Sequence, residues 1–294
     1  MLKYIEPVFR PPSEANSLIL PVTNGCSWNK CAFCEMYTAP QKQFQTRKEE
    51  DILADIARVA QHYPDVRRIF LADGDAMVLS SRRLLNILQA IKQSFPQLQR
   101  VSSYCLPRNV RNKSVDELKE IKDAGLSLVY VGAESGDDEL LNMINKGETL
   151  SSTVTSLNKL NNAGIKSSVM LLNGLGGVMF SEQHAKHSAQ LVNDTQPHYL
   201  ATLVVSFPMG QQRFLSHFPE GFQLLDQSGL FREMEMLIEQ THLKNTIFRS
   251  DHASNYLVLK GVLGKDKPSM LEKLRLALNN PELANLRPEW SRGL

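Results

Sequence analysis

The stretch Cys26-Ser27-Trp28-Asn29-Lys30-Cys31-Ala32-Phe33-Cys34 contains three of the four cysteines of this 294-residue chain. Soft thiolate ligands select iron–sulfur clusters, zinc or copper(I) over harder ions. An iron–sulfur cluster is commonly completed by four cysteines, whereas the fourth cysteine here, Cys105, lies far along the chain. The local count of three therefore favours a cluster in which one iron has no protein ligand.

Two other interpretations of these cysteines stay open. Free cysteines are often small buried hydrophobic residues, and a structural zinc site usually takes four protein ligands. The nearest histidine is His62, too far on for a compact Cys/His site, but Cys105 can supply a fourth zinc ligand. A disulfide framework is not expected in a chain of this length with four cysteines and no secretory signal.

The composition is that of an ordinary globular protein, with 42% hydrophobic and 22% charged residues. The net charge is only +2 and charges of both signs are interspersed, so neither nucleic acid nor an anionic membrane is an expected partner. The first residues lack the apolar stretch of a signal peptide, and no apolar run is long enough to span a bilayer. We therefore expect a cytoplasmic, reducing location, which suits thiolate-held metal.

Short β-rich runs alternate with helical patterns along most of the chain. Strands are predicted over 18–22, 68–72, 100–104, 126–132, 166–172 and 199–206, and helices over 49–62, 81–95, 114–125, 151–163 and 181–193. Such alternation implies βαβ units, a parallel sheet and right-handed crossovers. Six strands predict an α/β fold of the partial (β/α)6 TIM-like barrel kind.

The alternation stops near Gln211, where an aromatic-rich stretch and then two helices, over 231–243 and 269–278, are predicted. We expect a mostly helical C-terminal cap on one catalytic domain. The predicted division is an N-terminal extension at 1–16, the barrel core at 17–210 and the cap at 211–294.

Reactive or flexible residues follow five of the six predicted strands. In parallel α/β folds functional groups gather at the C-terminal ends of strands. The five loops carry the cysteine stretch, Asp73-Gly74-Asp75, Cys105, Ala133-Glu134-Ser135-Gly136 and Asn173-Gly174-Leu175-Gly176-Gly177. This convergence favours an enzyme over a zinc-stabilised binding module.

From about Ser17 to Ser206 the chain resembles the radical S-adenosylmethionine (radical SAM) superfamily. The aromatic residue before the last cysteine, in Cys31-x-Phe33-Cys34, is typical of that family's cluster loop. The stretch from Gly132 to Asp138, continued by Leu141 and Lys146-Gly147, is similar to the fourth-strand motif of oxygen-independent coproporphyrinogen oxidase and its relatives. Two features depart from the family pattern. Four residues rather than three separate the first two cysteines, and Asp73-Gly74-Asp75 replaces two glycines and a glutamate.

The resemblance implies a [4Fe–4S] cluster held by Cys26, Cys31 and Cys34, whose open iron chelates SAM. Phe33 would lie beside the adenine, and Glu134 with Ser135 would approach the ribose. The other cofactor-binding positions that it implies are Asp73, Gly74 and Asp75, which would receive the SAM ammonium through backbone carbonyls, together with Gly174, Gly176 and Gly177. The glycines among them would let the backbone approach the cofactor closely.

Catalytic residues are not fixed by the sequence. Candidates are Cys105, as a radical quencher or substrate contact, and His252 and Asn255, in a predicted polar loop from Phe248 to Tyr256 that can close the barrel mouth. His184 and His187, three apart on one predicted helix, are expected to face solvent or a neighbouring helix. Arg108 can meet a carboxylate, although an exposed arginine is the default.

The resemblance implies an oxygen-sensitive enzyme, an oxidoreductase or lyase, that generates a 5′-deoxyadenosyl radical to abstract hydrogen from a small molecule inside the barrel. Its expected electron donor is a flavodoxin or ferredoxin. One alternative is a radical SAM enzyme that modifies tRNA or a peptide, although no appended RNA-binding module or second cysteine cluster is present. Another is a non-catalytic zinc- or cluster-binding protein that uses Cys26, Cys31, Cys34 and Cys105.

Overall fold

A computed structural model describes residues 2–293, and these form two compact units. The first comprises the residues up to Asn29, Cys34–Val131 and Ser156–Ser167, and the second comprises Lys30–Phe33, Gly132–Thr155 and the residues from Ser168 onward. Met1 and Leu294, the outer ends of the predicted N-terminal extension and C-terminal cap, lie outside the described residues.

The first unit is built on parallel strands. Its sheet order is β1-β2-β3-β4, and each neighbouring pair is parallel. The strands are β1 (Leu18–Pro21), β2 (Arg68–Ala72), β3 (Arg100–Tyr104) and β4 (Leu126–Glu134), whose last residues belong to the second unit. The helices are α1 (Glu49–His62), α2 (Ser81–Ser94), α3 (Pro107–Arg111) and α4 (Val115–Asp123). A short antiparallel ribbon pairs Thr23–Asn24 with Gln45–Thr46.

Local sequence explains these elements. Helix α1 buries Ile52, Ile56 and Val59, which the helical period places on one face. Strand β2 is fully buried from Ile69 to Ala72, as expected for a strand covered on both faces. Helix α4 begins with a capping box, in which the Ser114 hydroxyl accepts from the Glu117 N–H (3.1 Å) and the Glu117 carboxylate accepts from the Ser114 N–H (2.7 Å).

The second unit contains more helices and a mixed sheet. Strands β5 (Lys166–Asn173), β6 (Tyr199–Val204) and β7 (Thr246–Ser250) are parallel, and β8 (Leu259–Leu263) pairs antiparallel with β7. The helices are α5 (Asp138–Met143), α6 (Leu150–Asn162), α7 (Gly177–Thr195), α8 (Gln212–Leu215), α9 (Gln227–Gln240) and α10 (Lys267–Asn279). Helix α9 packs against both α7 and α10. Single 3-10 turns occur at Pro12–Glu14, Pro40–Lys42, Ala76–Val78, Pro281–Leu283 and Glu289–Ser291.

All six predicted strands are present, each beginning at its predicted first residue and ending within two residues of its predicted end. The structure adds the short helices α3, α5 and α8 and the strands β7 and β8. The predicted polar loop from Phe248 to Tyr256 starts inside β7, because the alternation of buried Phe248 and Ser250 with exposed Arg249 makes a strand look polar. None of the helices formed by residues 2–293 is long and apolar enough to cross a membrane.

The capping box at α4 gives a direct test of the fold. We expect Ser114→Ala to lower the free energy of unfolding by about 1 kcal/mol, because the N–H of Glu117 loses its acceptor. Urea denaturation measures the change. Ser151→Ala, an exposed position in the first turn of α6, is the matched control and should be nearly neutral. Equal effects at the two positions would contradict the capping role of Ser114.

Candidate functional site

In the first unit, the residues after β2 bind the loop that carries Cys26. The Gly25 N–H donates to Asp73 Oδ2 (3.3 Å), and the Gly74 N–H donates to the Gly25 carbonyl oxygen (3.2 Å). The Ser27 hydroxyl donates to Asp75 Oδ2. The structure therefore brings together two predicted parts of the site, the cysteine loop and the Asp73-Gly74-Asp75 motif.

Tyr37 lies against this motif. A Cβ added to Gly74 would come within 2.7 Å of the Tyr37 ring, so only glycine fits there. Burial raises the pKa of Tyr37 far above its ordinary value, and the nearby thiols of Cys26 and Cys34 add to the shift. The two motif cysteines of this unit thus both influence the buried Tyr37 hydroxyl.

Asp73 is held by an ion pair that the sequence analysis missed. Lys42 Nζ lies 2.6 Å from Asp73 Oδ2, and the two side chains are only 1% and 4% exposed. Burial raises the pKa of Asp73, while the Lys42 ammonium acts in the opposite direction. Lys42 follows an ordinary polar loop, and nothing in the sequence around it indicates a buried cation.

Asp75 is completely buried. Burial raises its pKa to about 6, although hydrogen bonds from Ser27 and Asn109 act in the opposite direction. Lys113, whose ammonium donates to the Met77 carbonyl oxygen (2.9 Å), also opposes the shift. Asp75 therefore fixes the residue next to Cys26 and stays partly protonated near neutral pH.

Cys105 lies at the exit of β3, as predicted, but it is buried. Its N–H donates to the Tyr130 carbonyl oxygen (2.9 Å), and its thiol lies 3.4 Å from the Leu106 carbonyl oxygen. None of the four cysteines forms a disulfide bond. Arg108, in the same unit, stacks over Trp28 with its guanidinium carbon 3.9 Å from the ring centroid.

The remaining part of the cysteine loop belongs to the second unit. The Ala32 N–H donates to the Ile144 carbonyl oxygen at the end of α5 (2.8 Å), and Asn145 Nδ2 donates to the Lys30 carbonyl oxygen (3.2 Å). Arg213, from α8, donates to the Cys31 carbonyl oxygen (2.8 Å). Phe33 packs on an apolar cluster formed by α5 and by aromatic residues around α8. Hydrogen bonds to main-chain groups of Lys30, Cys31 and Ala32 therefore hold Cys31 and both of its neighbours in place.

Glu134, at the end of β4, is paired with Lys146. The Lys146 ammonium lies 2.9 Å from Glu134 Oε1 and 5.8 Å from the centroid of the Phe33 ring. Glu134 has a φ of 65°, and its carboxylate lies over Gly132, where an added Cβ would come within 2.2 Å of it. Glu134 and Phe33, two predicted cofactor-binding residues, thus both lie close to the ammonium group of Lys146.

The loop after β4 is bound along one face of α7. The Ser135 hydroxyl lies 2.8 Å from His184 Nδ1, the Gly136 N–H donates to the Ser188 hydroxyl (3.0 Å), and His187 Nδ1 lies 2.6 Å from Asp137 Oδ2. The positions 184, 187 and 188 share one face of a helix. His184 is only 3% exposed and lies beside Glu233 of α9, so it faces a neighbouring helix, which is one of the two predicted alternatives.

Helix α9 holds the loop after β5. The Gly174 N–H donates to Glu233 Oε1 (2.6 Å), and His184 Nε2 lies 3.7 Å from the same oxygen. Gly174 has a φ of 83°, and an added Cβ at Gly176 would come within 2.7 Å of Phe180 Cβ. Glu233 therefore connects the two loops that carry Ser135 and Gly174. Glu233 was not among the predicted site residues, because a glutamate in an amphipathic helix gives no signal of burial.

His252 and Asn255 lie between β7 and β8. Asn255 is buried, and its Nδ2 donates to the Thr202 carbonyl oxygen on β6 (3.0 Å). His252 Nδ1 lies 2.9 Å from the Ser254 hydroxyl, and burial, together with the nearby Arg287 charge, lowers its pKa. The observed contacts of both residues fix the connection between the two strands.

The motif cysteines and the buried oxygens near Cys26 are the groups that would hold the cofactors implied by the sequence. Cys26 and Cys34 belong to the first unit and Cys31 to the second, so neither unit alone contains the full set. As the structure stands, residues 2–293 contain no group of three or more Cys, His, Asp or Glu side chains that could hold a metal ion. Three buried oxygens around Cys26 lack a hydrogen-bond partner: Tyr37 Oη, Asp73 Oδ1 and Asp75 Oδ1. Cysteine thiols beside buried oxygens that lack a hydrogen-bond partner fit a soft metal cluster and a ligand that carries an ammonium group.

The pKa of Asp75 predicts a pH-dependent stability. Its folded value of about 6 lies above the ordinary value of 3.8, so the carboxylate destabilises the fold above pH about 6 and this cost disappears below pH about 4. We expect Asp75→Asn to raise the free energy of unfolding by on the order of 2 kcal/mol at pH 8, with a smaller gain at pH 5. Urea titrations at both pH values measure it.

The exposed Asp116, which faces Lys119, provides the control for this measurement. Asp116→Asn should change the stability by no more than about 0.5 kcal/mol at either pH. A gain for Asp75→Asn that is the same at pH 8 and pH 5 would exclude titration of this carboxyl group as the cause.

The buried Glu134–Lys146 pair makes a second prediction. Lys146→Met leaves the Glu134 carboxylate buried without its cation, and we expect a loss of about 3–5 kcal/mol in the free energy of unfolding. The double variant Lys146→Met/Glu134→Gln should recover most of it. Lys186→Met, which breaks the exposed Glu182–Lys186 pair on α7, is the control and should cost less than about 1 kcal/mol. A double variant as unstable as Lys146→Met would contradict the assignment.

Known proteins include several related sequences. The chain is 24% identical over 183 residues to the "Heme chaperone HemW" of Bacillus subtilis (strain 168), covering 60% of this chain and 47% of that protein. It is 25% identical over 167 residues to the "4'-phospho-dehydrooxetanocin synthase" of Priestia megaterium, covering 51% of this chain and 22% of that protein. The chain therefore spans less than half the length of either relative.

Solved structures show the same fold. Escherichia coli coproporphyrinogen III oxidase (HemN), described as a radical SAM enzyme, is 15% identical with a TM-score of 0.56, covering 76% of this chain and 52% of that chain. This likeness confirms the predicted α/β fold of the partial TIM-like barrel kind with parallel strands. The sequence profile of the Radical SAM superfamily matches residues 20–189, more than half of the chain. The protein thus belongs to the Radical SAM superfamily and is an enzyme whose cofactors are a [4Fe–4S] cluster and S-adenosylmethionine.

Proposed function

We propose that this enzyme cleaves SAM reductively and uses the resulting radical to abstract hydrogen from a small-molecule substrate. Cys26, Cys31 and Cys34 would bind the cluster and leave one iron for the amino and carboxylate groups of SAM. The observation that carries the proposal is the bonding of Gly25 and Ser27 to Asp73-Gly74-Asp75, which joins the cysteine loop to the motif expected to receive the SAM ammonium.

A bound, reduced [4Fe–4S] cluster supplies the electron that splits SAM into methionine and a 5′-deoxyadenosyl radical. The protein's own residues position the reactants. Asp73 and Asp75 hold the cysteine loop and present buried acceptor oxygens to an ammonium group. Phe33 offers an aromatic face to the adenine beside the Glu134–Lys146 pair. The loops that carry Ser135 and Gly174 are held by His184 and Glu233, which keep the ribose-binding region in one conformation.

The net reaction is proposed only at the level of hydrogen abstraction. The relatives are named as a chaperone and a synthase, so they share the domain rather than one reaction. We propose residues 17–210 as the catalytic core, 211–294 as the segment that closes it, and a flavodoxin or ferredoxin as the electron donor. Radical SAM enzymes act on small molecules and need a reductant, and this proposal assigns both to the present chain.

Anaerobic reconstitution tests the proposal. We expect the wild-type protein, loaded with iron and sulfide and then reduced, to form 5′-deoxyadenosine from SAM. Cys31→Ala should lower iron content, visible absorbance and 5′-deoxyadenosine to background, because the cluster loses one of its three ligands. Metal analysis and product chromatography measure these quantities.

Cys105→Ala is the matched control, since Cys105 is also a buried cysteine outside any disulfide but lies outside the motif. It should keep its iron content and its ability to cleave SAM. Loss of metal in Cys105→Ala, or zinc bound by all four thiols in the wild-type protein, would contradict the proposed function.

A further inference from the structure

The sheet of the second unit has two faces of different character. Side chains alternate between faces along a strand, and residues paired across neighbouring strands point to the same face. One face is fully buried and includes Val169, Leu200 and Phe248. The other is only partly buried and is lined by Met170 and Leu172 on β5, Ala201 and Leu203 on β6, and Ile247 on β7.

Strand register makes this second face continuous. Met170 pairs with Ala201, Ala201 pairs with Arg249, and Arg249 pairs with Lys260 on β8. A row of side chains therefore crosses all four strands, apolar on β5 and β6 and cationic on β7 and β8. The partly exposed face of the sheet thus changes from apolar to basic along one line.

Arg249 carries the unbalanced charge of this row. Its guanidinium donates to the Phe248 carbonyl oxygen (3.0 Å), and no carboxylate among residues 2–293 lies within ion-pair distance of it. Its neighbour Lys260 differs, because Asp251 lies 2.8 Å from the Lys260 ammonium. The side chain of Arg249 is exposed, so the remaining guanidinium donors are accessible to a ligand.

These groups define the chemistry of a ligand. A guanidinium presents a planar fork of donors that matches the oxygens of a carboxylate or a phosphate. Small-molecule sites are mostly apolar with a few placed polar groups, and Met170 supplies a flexible side chain that adapts to an irregular apolar body. Strand β7 lies beyond residues 20–189, the part of the chain that matches the superfamily.

We infer that this face binds the substrate, and that the substrate is an apolar molecule bearing a carboxylate or phosphate group whose oxygens bind Arg249. The identification of the bound molecule as the substrate rests on the proposed function. The recognition of an apolar acid by this face does not rest on the proposed function. It depends only on the sheet register and on the guanidinium of Arg249, which has no ion pair among residues 2–293.

Binding of three probes tests the inference: naphthoate, naphthyl phosphate and the neutral naphthamide, which share one apolar body. Their dissociation constants are measured by titration calorimetry on the full, cluster-reconstituted protein without SAM or reductant. We expect at least one charged probe to bind the wild-type protein about tenfold more tightly than naphthamide. The better of the two charged probes identifies the oxyanion.

Three variants separate the contributions of charge and apolar surface. Arg249→Gln should abolish the preference for the charged probes and leave the naphthamide affinity unchanged. Leu203→Gln should weaken the binding of all three probes by similar factors. Arg232→Gln, which removes another exposed arginine without an ion pair among the described residues, should change nothing. Thermal unfolding of each variant verifies that it is folded.

Three results would overturn the inference. They are a wild-type protein that binds both charged probes no better than naphthamide, a preference that survives in Arg249→Gln, or an equal loss in Arg232→Gln. The proposed function fails separately. If the wild-type protein shows the charge preference but forms no 5′-deoxyadenosine, the inference about the acid-binding face stands and the proposed radical chemistry is wrong.

Discussion

A buried carboxylate at the end of a strand is stable only where donors meet it, and this constraint shapes the loops of both units. Asp73 after β2 is held by Lys42, and Glu134 at the end of β4 is held by Lys146. In each case the carboxylate or its neighbours then fix a loop that the chemistry needs. Charge pairing inside the protein therefore helps to set the positions of these loops.

Much of this support comes from outside the part of the chain that matches the superfamily. Arg213 on α8 binds the backbone of Cys31, and Glu233 on α9 binds the backbone of Gly174. Both lie after residue 189, where the match ends. Because a main-chain carbonyl or N–H is available at every position, such contacts require no particular residue in the family motif. The motif can stay unchanged while the segment that supports it differs between enzymes.

The sequence was sufficient for the elements that repeat a local pattern. The six strands and the capping box at Ser114 follow from periodicity and from short-range hydrogen bonding, and the structure has them where they were predicted. The partners Lys42, Lys146 and Glu233 could not be predicted in the same way. Each is an ordinary polar residue whose burial depends on contacts far along the chain, and periodicity carries no information about such contacts. Strand β7 was missed because its exposed Arg249 obscured a short apolar alternation.

The enzyme has two tasks, radical generation and substrate selection, and these place different requirements on its residues. Generating a radical from SAM requires the same groups whatever the substrate, and the residues that we propose for this task lie in the recognisable motifs after β1, β2, β4 and β5. Selecting a substrate requires groups that differ between enzymes, and these belong to positions without a family pattern. Arg249 has this character, because it is a cation without an ion pair among residues 2–293, on a sheet face that is apolar across β5 and β6, in a strand that the superfamily match does not include. The Arg249 guanidinium makes a hydrogen bond to the Phe248 carbonyl oxygen but no ion pair among the described residues, and a ligand carboxylate or phosphate would supply one.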